Sequence, residues 1–141
     1  MAYVWVMLGS ALGGLLRYGL TRLMEARSAH FPFGTVLVNV LGCFVIGYFG
    51  TLTLQTGKYP VSDHLRLFVM VGLCGGFTTF SSFSLQTFDL LRAGAWGRAL
   101  FNVGLSVVLC LGAVAAGHLL ARAADKTNVA IAETRDEEQT G

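Results

Sequence analysis

The sequence predicts an all-α membrane protein with four transmembrane helices, the third of them broken. Three observations carry that expectation. Hydrophobic residues make up 54% of the 141 and charged residues 13%, about half the roughly 25% usual in a soluble domain. Four long apolar runs, residues 1–24, 31–57, 67–88 and 99–121, are separated by short charged connections, and each run is long enough for a bilayer crossing of about 20 residues. Inside the third run, Gly75-Gly76 is followed by Thr78, Thr79, Ser81, Ser82 and Ser84. Glycine weakens helix, and irregular backbone at membrane depth is tolerated only where protein buries it or a wet cavity meets it.

The first run has no charge before Arg17 and no positive start, so it does not read as a cleaved signal peptide. Gly9 and Gly13 form a G-x-x-x-G pair, extended by Gly14, a face that lets helices approach closely. Arg17 interrupts the run before its end. It either snorkels to the interface or lends positive potential to an anion vestibule.

The second run carries Pro32 near its start, suited to a first helical turn. Asn39 stands in its middle, with Thr35 one turn earlier on the same face. A buried amide is costly without a partner, so Asn39 either bonds a neighbouring helix or aims a donor at a pore. In the second connection Pro60, close to Lys58, favours a turn, and Ser62 is placed to cap the next helix.

In the fourth run Asn102, Ser106 and Cys110 recur at four-residue intervals and share a face. His118, near the end, reads as interfacial. Residues 1–122 therefore form one four-helix membrane domain, and the polar, acidic residues 123–141 a disordered tail.

Composition excludes several function classes. A net charge of +2, spread along the chain, gives no nucleic-acid footprint. Cys43, Cys74 and Cys110 lie in separate runs with no C-x-x-C pair and read as small buried hydrophobes. No nucleophile–base arrangement, phosphate loop or metal-ligand cluster is visible, so the chain is not read as an enzyme. No carboxylate lies within a run. Proton-coupled carriers place ionisable groups in the membrane, so passive permeation fits better. Lys and Arg divide five against five between the two sides of a four-span arrangement. The positive-inside rule then sets no orientation, as suits a chain that inserts both ways and pairs antiparallel with itself.

The third run offers ion chemistry. Phe77, Phe80 and Phe83 recur every three residues. Aromatic edges carry partial positive charge, and with hydroxyls and amides they can replace water around a small anion. Carbonyls freed at the break can hold a cation.

Gly75-Gly76-Phe77-Thr78-Thr79-Phe80-Ser81-Ser82-Phe83 closely resembles the signature of the CrcB/Fluc fluoride channels. Gly34-Thr35-Val36-Leu37-Val38-Asn39 resembles their second-helix motif, and Gly13-Gly14-Leu15-Leu16-Arg17-Tyr18 their first-helix motif. The resemblance implies a passive, fluoride-selective channel in the cell membrane that expels the ion and protects against its toxicity. It implies an antiparallel homodimer in the lipid bilayer, with two pores and a central structural sodium ion held by the main-chain carbonyls of Gly75 and Thr78. By motif position Asn39, Phe80, Phe83, Ser81, Ser82 and Ser106 would line the fluoride pore. Ser82 stands where threonine is common in the family, and Asn102 where some members carry another polar or aromatic residue. The rival from another class is a small four-helix multidrug exporter, which needs a carboxylate in the first helix; residues 1–24 contain none.

Overall fold

The computed structural model describes residues 1–54, 59 and 61–140, with side chains to residue 124. The turn expected around Lys58 and Pro60, and the side chains of most of the expected tail, lie outside the described residues. Among the described residues every element is helical. Helix α1 spans Ala2–Leu23 and leads through a 3-10 turn, Glu25–Arg27, to α2, Phe33–Leu52. A third stretch comprises α3 (Asp63–Arg66), a π-helical segment (Leu67–Cys74), α4 (Gly75–Phe77) and α5 (Phe80–Arg92). Helix α6, Trp96–Thr140, completes the order.

Three of these stretches, Phe33–Leu52, Asp63–Arg92 and Trp96–Ala124, are long and apolar enough to cross a membrane. Helix α1 has 22 residues, a length of about 33 Å at 1.5 Å per residue. Ser62 caps the third stretch as expected, its Oγ accepting from the Leu65 N–H at 3.3 Å. Pro32 stands one residue earlier than a first-turn position, at the N-cap of α2.

Two close pairings organise the bundle. Helix α1 lies along the π-helical segment and α4. A Cβ on Gly72 would stand 2.8 Å from the Gly9 Cα, and one on Gly76 would stand 2.6 Å from the Ser10 carbonyl oxygen. These backbones touch because the side chains are missing, as the G-x-x-x-G pair predicts. Helix α2 packs along α6. A Cβ on Gly47 would lie 2.5 Å from the Val114 carbonyl oxygen, and one on Gly117 equally close to that of Phe44.

The two helices run parallel with a fixed register. Thr51 Oγ1 meets His118 Nδ1 at 2.9 Å across a separation of 67 residues, and Gly47 meets Val114 at that same separation one turn earlier. His118 is therefore tied to the last turn of α2. Arg66 donates to the Thr53 carbonyl, pinning the end of α2 to the start of the third stretch.

The break is not where the glycines suggest. Gly75 and Gly76 remain helical, and the extended residues are Thr78 (φ −74°, ψ 158°) and Thr79 (φ −150°, ψ 102°). Gly76 serves the approach of α1, while β-branched threonine suits extended backbone.

This packing yields a contrast within one helix. A Cβ on Gly13 would meet the Leu73 carbonyl oxygen and stand 2.8 Å from the Phe77 nitrogen, whereas nothing lies within 4 Å of one on Gly14. Gly13→Ala is expected to lower stability by about 1–3 kcal/mol, and Gly14→Ala to leave it level or raise it by up to about 1 kcal/mol. Denaturation midpoints of the two purified variants in one detergent check this.

Candidate ion pathway

The site begins with Asn39 on α2. Its Oδ1 accepts from the Thr79 N–H at 2.8 Å, and its Nδ2 donates to the Thr79 carbonyl at 3.3 Å. One side chain thus satisfies both backbone groups of the extended residue. Thr79 in turn caps α5: its Oγ1 accepts from the Ser82 N–H at 3.1 Å and donates to Ser82 Oγ at 2.9 Å. Thr78 Oγ1 donates back to the Cys74 carbonyl at 2.9 Å.

These contacts redirect two backbone donors. In an unbroken α-helix the carbonyl of residue i accepts from the N–H of residue i+4. Thr79 would then serve Gly75, and Ser82 would serve Thr78. Thr79 instead turns to Asn39, and Ser82 to the Thr79 hydroxyl. The Gly75 and Thr78 carbonyls are left without their helical donors.

Beside the break lies a cavity of ≈ 270 Å³, walled by Asn39 and Cys43 of α2, by Thr78, Thr79, Phe80 and Phe83, and by Ser106, Val107 and Cys110 of α6. No lining residue carries a formal charge. The Phe80 and Phe83 rings are 5.5 Å apart at 42°. Phe80 is 79% exposed in the single chain. Ser81 and Ser82 are not in the wall. They sit at the first turn of α5, with Ser81 Oγ 3.4 Å from Thr79 Oγ1. Of the expected pore residues, the structure therefore gathers Asn39, Phe80, Phe83 and Ser106, and leaves Ser81 and Ser82 beside the cap.

A larger cavity, ≈ 520 Å³, opens at the far end of α5 and mixes charges of both signs: Arg22, Arg98, Glu25 and Asp89 stand with Ser28, His30, Thr35 and Gln86. Arg17 is not in its wall. Buried polar groups lie between α5 and α6. Asn102, fully buried, donates from Nδ2 to Thr87 Oγ1 at 2.9 Å. Asn102 Oδ1, Gln86 Oε1 and Ser106 Oγ are buried with no protein partner. Orphaned buried polar atoms cost about 1–3 kcal/mol each, so they are kept where water or an ion satisfies them. Ser106 touches the smaller cavity and Gln86 the larger one, so this polar cluster lies between the two.

Sequence reasoning passed over Thr79, Cys43 and Cys110 as wall residues. Thr79 was legible as an N-cap, because a hydroxyl residue starts the helix that follows. The cysteines were not, because their meeting depends on the register between α2 and α6.

Apolar spans around an uncharged cavity with an amide and hydroxyls in its wall, beside a broken helix, define a multi-pass membrane protein with a site for a small solute. Residues 4–118 match the family described as CrcB-like protein, Camphor Resistance (CrcB). Relatives called fluoride-specific ion channel FluC include one from Gluconobacter oxydans, 58% identical over 134 residues, covering 94% of this chain and 93% of the relative. Another, from Methylobacterium radiotolerans, is 56% identical over 135 residues, covering 96% and 94%. One from Methylocella silvestris is 57% identical over 122 residues, covering 86% and 93%. The chain belongs to the CrcB family.

The Asn39–Thr79 pairing has a measurable consequence. Asn39→Asp keeps the acceptor for the Thr79 N–H but sets a second oxygen against the Thr79 carbonyl. The variant should fold and lose about 1–3 kcal/mol, read from its denaturation midpoint. Faster hydrogen exchange should be confined to residues 78–83.

Proposed function

We propose that the chain is a passive, fluoride-selective channel of the cell membrane. One observation carries the reading: a cavity lined by an amide, hydroxyls and two aromatic rings, with no charged side chain, lies beside a helix break among apolar spans. Fluoride is small and strongly hydrated, so a dry apolar wall rejects it. Asn39 and Ser106 supply hydrogen bonds, and the edges of Phe80 and Phe83 supply partial positive charge. Ser81 and Ser82, beside the cap, extend the hydroxyls along the route. Donors without charge hold an anion weakly enough for it to leave. The names of the curated relatives support fluoride as the ion.

Physiology follows from weak-acid chemistry. Neutral hydrogen fluoride enters the cell and ionises in a less acidic interior. A passive pore then lets the membrane potential expel the anion, a drive of about 2.3 kcal/mol per charge per 100 mV.

On this reading α1 is the fourth span, and two copies associate antiparallel in the bilayer, with two pores per dimer. Phe80, exposed in the single chain beside the cavity, leaves a ring face open for a second copy to meet. The Gly75 and Thr78 carbonyls would hold the structural sodium ion. The fit rests on their lost helical donors, and carbonyls alone suit a hard monovalent cation. Bound there, sodium supplies fixed positive charge between the copies; the chain's part is to keep the break extended through Asn39 and Thr79.

Two experiments test the reading. Liposomes holding the purified protein should release fluoride at least about 100-fold faster than chloride. Phe80→Ile and Phe83→Ile keep apolarity but lack the ring quadrupole, and each should cut flux by at least about tenfold while dimers remain on size-exclusion. Normal flux in both variants sinks the ring-edge role, and equal chloride and fluoride release sinks the function. Thorough sodium removal, with a large organic cation as replacement, should abolish flux. Full flux under those conditions refutes the sodium site.

A further inference from the structure

Two of the three cysteines, far apart along the sequence, come to one place in the fold. Gly47 and Val114 touch, and Thr51 and His118 bond one turn later, each pair 67 residues apart. The register continued one turn back pairs Cys43 with Cys110. Both residues line the ≈ 270 Å³ cavity. Cys74 is buried and opens on a different cavity, among Leu16, Gly42 and Phe77.

We infer that Cys43 and Cys110 form a two-thiolate site for a soft, thiophilic cation that accepts two ligands, and that its occupancy closes the cavity to ions. Thiolate is the metal-binding form of cysteine and selects soft metals. The wall holds no carboxylate or imidazole. Among the described residues no three metal-ligating side chains come together. Oxygen-seeking divalent ions and four-coordinate zinc therefore lack their ligand sets, and a two-coordinate ion does not need them. The step is ligand exchange without electron transfer: a divalent cation takes two thiolates, and their two protons leave to water. The product is electrically neutral, which suits a cavity at membrane depth, where net charge is costly. It spans α2 and α6 beside Asn39 and the phenylalanine rings, where any ion in the cavity would have to pass.

The closure half of this inference rests on the cavity being the conduction path; the binding half does not. The test titrates mercuric chloride into the intact protein and reads thiols and flux on the same sample. One mercury should bind per chain with loss of two of the three thiols, mapped to Cys43 and Cys110. Fluoride release from liposomes should fall at least about tenfold and return with excess dithiothreitol. Cys43→Ser and Cys110→Ser should each need about 100-fold more mercury for the same effect, while Cys74→Ala behaves as the parent chain. Unchanged mercury uptake in the Cys43→Ser/Cys110→Ser double variant, or pairing through Cys74, overturns the site. Undiminished fluoride release with the pair occupied overturns its closing of the path. Absence of fluoride release before any mercury is added overturns the channel reading instead, and the thiol count still decides the metal site.

Discussion

The structure depends on one side chain meeting one residue's backbone. Asn39 gives its oxygen to the Thr79 N–H and its amide to the Thr79 carbonyl. An extended residue between two helices leaves both groups without helical partners, and water is scarce at membrane depth. Asn39 makes the interruption affordable. It also sets the direction of everything downstream: Thr79 is held extended, its hydroxyl starts α5, and α5 carries Phe80 and Phe83 to the cavity. The carbonyls of Gly75 and Thr78 lose their helical donors for the same reason. The ring wall and the freed carbonyls are thus two products of one local arrangement, and neither can be lost alone when Asn39 is changed.

The rest of the bundle fixes the two ends of that contact. Glycines on α1 and the third stretch bring those backbones together, which positions the segment before the break. Glycines on α2 and α6 do the same on the opposite side. With α2 and α6 parallel at a constant separation, each turn of α2 has a counterpart on α6. Thr51 meets His118 and Gly47 meets Val114. Cys43 and Cys110, then Asn39 and Ser106, share one cavity wall. Thr35 and Asn102 are both buried. The contacts are tight at the glycine end and open into the cavity further along, so the close packing at one end supports the space at the other.

Much of this was legible in the sequence because membrane helices announce themselves by length and apolarity, and because caps and small-residue faces are local. Ser62 was readable as a cap, Gly9 and Gly13 as a close-packing face, and Asn39 as an amide in need of a partner. The position of the break was misread by three residues. Gly75-Gly76 looks like the weak point by propensity, yet propensity does not know that α1 needs those glycines bare. The π-helical segment over Leu67–Cys74 has no composition signature at all. Nor could the meeting of Cys43 with Cys110 be read, since the register between helices is fixed by contacts that no single run contains. The polar atoms of Asn102 and Gln86 were visible as residue types, but their lack of protein partners is a property of the packed bundle.

Charge explains why a break is worth its cost in a conduit for an anion. A lysine or arginine in the wall would attract fluoride strongly and hold it, because Coulomb energies rise steeply as the dielectric falls. A wall of alkyl groups would offer nothing in place of water. Between these limits lie neutral donors and aromatic edges, each weak and several together adequate. A regular helix turns its own amides inward and cannot present them. Interrupting it exposes backbone dipoles and gathers side-chain hydroxyls at a helix start, as Thr79 and Ser82 show. Phe80 stands exposed at that same point. One chain therefore sets an uncovered aromatic ring beside an uncharged cavity whose wall holds an amide and hydroxyls, so that apolar and hydrogen-bonding groups meet at the single point where the helix is interrupted.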